Sequence, residues 1–206
     1  MLKVLGRITS INVRKVLWAL DEMAIAHERE DWGLPVRDPN VPEFLRLNPN
    51  AQVPVIVDDG FVLWESGAVL RYLGDKAGSD LWPRSAEERA RVDQWLTWQG
   101  TELGPSWAYA VQALLRGNPP NPDPARIAAS VMRWTAAMRI LEGQLAAGSG
   151  FVANGRMSLA DIVMGLSTHR WLSLPIDRPA LPAVEAHHAA MAARPAAARY
   201  LGEGTP

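Results

Sequence analysis

Cysteine is absent from all 206 residues, which excludes disulfides, zinc-thiolate sites and any Cys-x-x-Cys redox chemistry carried by the protein itself. If thiol chemistry takes place here, the ligand brings the sulfur. An excess of one charge is lacking too. The formal net charge is -1, so nothing electrostatic points to nucleic acid or an anionic membrane as partner. No apolar run approaches the ~18 residues that span a bilayer, and no basic start leads into a short apolar run of the secretory type. The expectation is a cytoplasmic protein with a small neutral or zwitterionic ligand. His169, His187 and His188 show no metal-ligand spacing with other candidates, so no metal site is expected.

What is present reads as two domains. Hydrophobic residues make up 48% and charged ones 21%, ordinary values for a globular chain and compatible with a core in each half. Leu2, Val4 and Leu5 form a short apolar run, and Val13, Val16, Leu17, Leu20 and Met23 then recur at helical spacing. Residues 27–32 predict an edge-like strand, followed by an irregular connection through Gly33, Pro35, Pro39 and Pro42. Pro42 to Leu47 predict a helical turn or two. Residues 53–57 and 61–64 read as strands around Asp58-Asp59-Gly60, a hairpin signal. Ser66 is expected to cap a helix that ends between Gly74 and Gly78.

From Pro83 onward strand signals vanish, and the domain boundary is drawn through residues 78–85. This gives one domain over 1–77 and an all-helical one over 86–206. Within the latter, a helix over residues 86–115 should break at Gly100 or Gly104-Pro105. Asp123 caps the next helix with Pro124 at its first position. Ser158-Leu159-Ala160-Asp161 is a capping box with Asp in the usual Glu place, a folding device rather than chemistry. Helical patterns over 181–193 and 196–201 precede a polar tail.

Gln52-Val53-Pro54 points to function. Pro54 opens the apolar run Val55-Ile56-Val57, where a proline cannot donate to a sheet ladder and belongs at a strand's start or edge. A free backbone edge should therefore remain at Val53. Extended peptides dock on such an edge main chain to main chain, and a carboxylate beside a helix N-terminus can hold the peptide's charged end. Glu65 and Ser66 supply both.

The order βαβ, loop, ββα, then helices resembles the glutathione transferases: a thioredoxin-like N-terminal domain joined to an all-α C-terminal one, an α/β plus all-α fold. The local motifs agree. Residues 6–16, Gly6-Arg7-Ile8-Thr9-Ser10-Ile11-Asn12 and onward, look like the family's first strand, active-site turn and first helix. Pro42-Glu43-Phe44-Leu45 through Asn48-Pro49-Asn50 to Gln52-Val53-Pro54 look like its glutathione-binding loop, and residues 65–73 like its third helix. The resemblance implies that Val53 pairs its backbone with the cysteinyl part of glutathione beside a cis Pro54. It also implies that Glu65 and Ser66 hold the γ-glutamyl end, with Gln52 a weaker candidate. The loop over residues 33–40 lacks the lysine that many members place there for the glycine end.

Ionising a thiol of pKa about 8.5 at neutral pH by lowering it two units requires ~2.7 kcal/mol of preference for the thiolate. One or two donors to a charged acceptor, at ~1.5–3 kcal/mol each, supply that. Tyrosine-type and cysteine-type members of the family are excluded as templates, because Tyr72, Tyr109 and Tyr200 lie elsewhere and cysteine is missing. Ser10 is the preferred catalytic donor, with Asn12 the second residue of a serine/asparagine pattern found in a bacterial type; the alternative is that Ser10 only caps its helix. Arg14 is read as solvated. Trp98, Trp107, Tyr109 and Trp171 fall where the family builds its apolar substrate wall, and Trp107 is the first choice. The implied reaction is attack of the glutathione thiolate on a hydrophobic electrophile, in a homodimer and without a further cofactor. Two alternatives stay open: a disulfide or peroxide reductase using two glutathiones, and a glutathione-binding module without turnover.

Overall fold

The apolar run near the N-terminus forms strand β1 (Leu2–Leu5). With β2 (His27–Glu30), β3 (Val55–Asp58) and β4 (Phe61–Trp64) it builds a four-stranded sheet in the order β2-β1-β3-β4, in a computed structural model that describes residues 1–202. β1 runs parallel to β2 and antiparallel to β3, and β4 returns antiparallel to β3. A parallel pair needs a crossover. Helix α1 (Ile11–Glu22) supplies it. The β3–β4 hairpin closes through Asp59 and Gly60 with φ of 48° and 92°, the positive pair that a tight turn matched to strand twist demands. Strand β3 begins at Val55, later than the expected 53, since Pro54 has no N–H to give a ladder. Helices α2 (Pro42–Leu45) and α3 (Ser66–Ala77) complete the thioredoxin-like order expected from the sequence.

Alternation along the strands sorts the two faces of the sheet. Leu5 and Val55 join Trp32 and Phe44 in one buried cluster, flanked by Val41, Leu47, Val53, Val57, Val62 and Trp64. Val4 and Ile56 point the other way and are fully buried, as are Val13, Val16 and Leu20 of α1 and Val69, Leu70 and Leu73 of α3. Beneath the hairpin, the carboxylate of Asp58 takes a hydrogen bond of 2.7 Å from the Tyr72 hydroxyl and pairs with Lys76, tying β3 to α3.

The chain divides into two compact units, one of residues 1–84 together with the stretch from Pro195, the other Ser85–Arg194. The boundary expected from the sequence places everything from 86 onward in the second domain. The physical reason for the difference is Tyr200, which stacks on Trp18 of α1 at 6.3 Å and 19°. Tyr200 also donates its hydroxyl to Asp21 and accepts from Arg14 Nη1 at 3.0 Å through its carbonyl. Arg14 is consequently 1% exposed rather than solvated, and burial draws its pKa down to about 10. The expected helix over 196–201 is a 3₁₀ turn, Pro195–Arg199. Residues 203–206, the polar tail, lie outside the described residues.

In the second unit, α4 (Ala86–Trp98) passes through a π-helical turn, Gln99–Leu103, into α5 (Gly104–Leu115). The expected break is thus a register change just ahead of Pro105, whose missing N–H disrupts the regular ladder. Helix α6 (Pro124–Ala147) starts under the Asp123 cap, which accepts from the Ala125 N–H at 2.8 Å. Helix α7 (Leu159–Ser173) carries the capping box. Its Asp161 is fully buried and accepts from Ser158 N, Ser158 Oγ and Val152 N at 2.8, 2.9 and 2.8 Å, with His187 Nε2 of α8 (Pro182–Ala192) at 3.0 Å. Glu142 of α6 accepts from the first N–H groups of α8, Ala183 and Val184, at 3.1 and 2.9 Å.

Candidate active site

Leu5 pairs with Val55, Val55 with Trp64, and Leu5 also with Glu30. One end of the sheet therefore gathers the β1–α1 turn, the residues before β3, the β4–α3 junction and the exit of β2. The Val53–Pro54 peptide bond is cis, as the resemblance implied. Val53 N–H and C=O enter no backbone hydrogen bond among the described residues. Gly6 closes on this point: a Cβ there would lie 2.4 Å from Val13 Cγ2 and 3.3 Å from Val53 Cβ, so only glycine lets the turn come this near.

The loop before Val53 is braced by Asn48, 3% exposed. Its Nδ2 donates to the Gln52 carbonyl at 2.8 Å and its Oδ1 accepts from the Asn50 N–H at 3.0 Å. The Asn48-Pro49-Asn50 motif includes this asparagine but does not by itself assign it the bracing role. The available signal was an asparagine ahead of a Pro-Asn turn, where Asx side chains bond the backbone two residues on. Gln52 itself is exposed.

Ser10 occupies the cap position of α1 with φ -85° and ψ 123°, and its hydroxyl makes no capping bond. The bland reading, a serine occupied in capping, is thus not what the geometry has. A half-buried hydroxyl stands at the positive end of a helix, an arrangement that favours an anion. Asn12 is exposed on the first turn of the same helix. Arg7 Nη1 donates to Thr9 Oγ1 at 2.5 Å in the turn before it.

At the other junction, α3 begins with Ser66 as its first helical residue, and Glu65, not Ser66, holds the cap position. The reason is geometric. The chain must leave β4 and enter the helix in one residue, and Glu65 does so at φ 69°, ψ 112°. A non-glycine residue there is strained by ~1–3 kcal/mol, the kind of outlier that clusters at ligand sites. The Glu65 side chain is exposed and makes no cap bond, while Ser66 is 8% exposed.

Trp107, expected on a second-substrate wall, is 6% exposed. Its ring lies 5.2 Å from Trp134, which lies 4.9 Å from Trp171. The three rings pack as core of the helical unit, leaving Trp98 and Tyr109 as the half-exposed members of the expected set. Among the described residues no group of His, Cys, Asp or Glu side chains converges as a metal site, and no helix is long and apolar enough to cross a membrane.

A thioredoxin-like unit with a cis proline beside an unpaired backbone edge, followed by an all-helical unit, defines the glutathione transferase class of protein. Comparison with known proteins agrees. Residues 9–76 match the family model described as glutathione S-transferase, N-terminal domain. Glutathione S-transferase GstB of Escherichia coli is 30% identical over 199 residues, spanning 88% of this chain and 96% of its own length. The disulfide-bond oxidoreductase YfcG of the same organism is 34% identical over 167 residues, 78% of this chain and 76% of that one. Among solved structures, the theta class glutathione S-transferase from Xanthomonas axonopodis pv. citri with glutathione bound aligns at a TM-score of 0.94 and 31% identity, covering 100% of this chain and 99% of that one. The chain belongs to the glutathione S-transferase family, and it is an enzyme of that type.

Proposed function

We propose that the protein binds glutathione along Val53, ionises its thiol beside Ser10, and lets the thiolate attack an electrophilic carbon of a hydrophobic second substrate. The observation that carries this reading is the pairing of two unspent groups at one sheet end: the Val53 backbone and a Ser10 hydroxyl at a helix N-terminus that caps nothing. Glu65 takes the γ-glutamyl ammonium, and the first N–H groups of α3 at Ser66 take its carboxylate. Gln52 borders the same peptide. Asn12 is a second polar group on the first turn of α1. No cofactor takes part, since the protein's contribution is positioning and anion stabilisation.

Ser10→Ala tests it. Loss of one hydrogen bond to a charged acceptor, ~1.5–3 kcal/mol, should raise the bound thiol's pKa by ~1–2 units. Titrating thiolate absorbance of the glutathione complex and measuring turnover of an aryl halide read this out. An unchanged thiolate and unchanged turnover would remove Ser10 from the mechanism. The same reading makes the protein a cytoplasmic homodimer; a light-scattering mass near one subunit at micromolar concentration would refute the dimer.

A second reading, reduction of disulfides or peroxides by two glutathiones, is favoured by exposed Asn12 on the first turn of α1 and by the likeness to YfcG. Activity with hydroxyethyl disulfide far above that with aryl halides would select it.

A further inference from the structure

We infer that Asn48 is a positioning residue for glutathione: through its grip on the Gln52 carbonyl it aims the Val53 N–H at the ligand and so sets the affinity for the tripeptide backbone. The inference rests on the glutathione reading above. The Gln52 carbonyl and the Val53 N–H belong to one peptide unit, which is not among the cis bonds of the chain. In a planar trans peptide the C=O and the N–H point in opposite directions. Asn48 Nδ2 donates to the carbonyl at 2.8 Å, so the Val53 N–H faces away from the buried asparagine, and it enters no backbone hydrogen bond among the described residues. Without that bond, the unit could turn about the soft torsions beside it, ψ of Gln52 and φ of Val53, and a ligand would have to arrest the motion on binding. The Asn48 bond arrests it beforehand, which is how preorganisation raises affinity.

The asparagine can do this because its own polar groups are all fixed. Its N–H donates to the Phe44 carbonyl at 2.9 Å, and its carbonyl accepts from the Ala51 N–H at 3.1 Å. Oδ1 accepts from the Asn50 N–H and from Asn50 Nδ2, both at 3.0 Å. An amide oxygen facing two donors leaves the nitrogen for the carbonyl of Gln52, which fixes the orientation of the amide. Phe44 is fully buried in the cluster with Leu5, Trp32 and Val55. Asn48 thus links the rigid sheet core to the peptide unit that meets the ligand. Between the two, Ala51 is held at φ 52°, a left-handed conformation uncommon for a residue with a Cβ, and the bonds from Asn48 to Asn50, Ala51 and Gln52 close the turn that requires it.

Asn48→Asp keeps the shape and the acceptor but loses the donor. Asn48→Ser, whose hydroxyl can still accept from the Asn50 N–H but is one bond shorter and falls short of the Gln52 carbonyl, serves if the aspartate variant does not fold. The ligands for titration calorimetry are glutathione, S-methylglutathione, and an analogue of unchanged charge in which a trans alkene replaces the cysteinyl-glycine amide. Either variant should bind the first two roughly 5- to 30-fold more weakly than wild type. KM for glutathione should rise by a similar factor, while kcat at saturation and the titration of the bound thiol stay as they were. The alkene analogue offers the Val53 N–H no cysteinyl carbonyl and should bind wild type and variant alike. Unchanged glutathione affinity in a folded variant, a fall in kcat with KM unmoved, or an equal loss for the alkene analogue would overturn the role of Asn48 and leave the glutathione reading standing. A wild type that binds neither glutathione nor S-methylglutathione would overturn both.

Discussion

Replacing Glu65 by glycine should stabilise the fold while weakening the ligand, and the two effects can be sized separately. Glu65 adopts φ 69° and ψ 112°, a region where glycine is unstrained and a Cβ costs ~1–3 kcal/mol. The fold spends nothing on its side chain, which is exposed and makes no cap bond. Its carbonyl, which accepts from the Val69 N–H at 2.9 Å, survives the substitution. Against the relief stands the extra backbone entropy of glycine, ~0.5–1 kcal/mol, leaving a net gain of about 1 kcal/mol. For a chain of this length that is a rise of ~2–4 °C in melting temperature. Loss of the carboxylate should remove a charge-assisted hydrogen bond to the γ-glutamyl ammonium, ~1.5–3 kcal/mol, or roughly 10- to 150-fold in Kd for glutathione. Glu65→Gln is the companion: strain kept, charge lost, melting temperature level, affinity reduced. Scanning calorimetry and titration calorimetry on the same samples read both. A lower melting temperature for Glu65→Gly would show that the side chain supports the fold, and an unchanged Kd would show that it is not a ligand.

Three further outcomes follow from the packing. The Lys76 ammonium and then the Tyr72 hydroxyl hold the Asp58 carboxyl below the usual carboxylate range. That stabilisation is fully present above the unfolded pKa of about 4 and is lost as pH falls through the depressed folded value. Tyr72→Phe should therefore cost about 1–3 kcal/mol at neutral pH and flatten the acid limb of the stability curve; denaturant melts from pH 7 to 2.5 with an unaltered acid limb would contradict it. Asp161→Asn turns an amide nitrogen toward buried donors from Ser158, Val152 or His187 and should destabilise by about 3–5 kcal/mol; a loss under 1 kcal/mol in urea unfolding would show that the hub is dispensable. Tyr200→Ala strips the ring stacked on Trp18 and should cost about 3–5 kcal/mol, visible as a blue-to-red shift of tryptophan emission at lower denaturant, whereas an unmoved transition would mean that the C-terminal stretch does not anchor α1.

Signals confined to a few neighbouring residues were legible before any coordinates. Asp59-Gly60 specifies a turn because both residues tolerate positive φ. Asp123-Pro124 and Ser158 with Asp161 specify helix starts because orphan N–H groups must find acceptors within one turn. Pro54 ends the ladder because it has no proton to donate. Those constraints act over a few residues, so the order of the elements can be read from the chain alone, whereas their thioredoxin-like arrangement and the selection of Ser10, Val53, Glu65 and Ser66 as motif residues follow from the resemblance to the glutathione transferases. Other features join residues that local spacing cannot pair. Arg14 looks like a solvated helix residue until Tyr200 arrives from the far end of the chain to cover it. Trp107 suits a pocket wall as well as a core until Trp134 and Trp171 close on it. Glu65 rather than Ser66 takes the cap because of the angle at which β4 meets α3. Local chemistry thus determined which elements form, while burial and close approach, properties of segments brought together from distant parts of the chain, decided what each side chain touches.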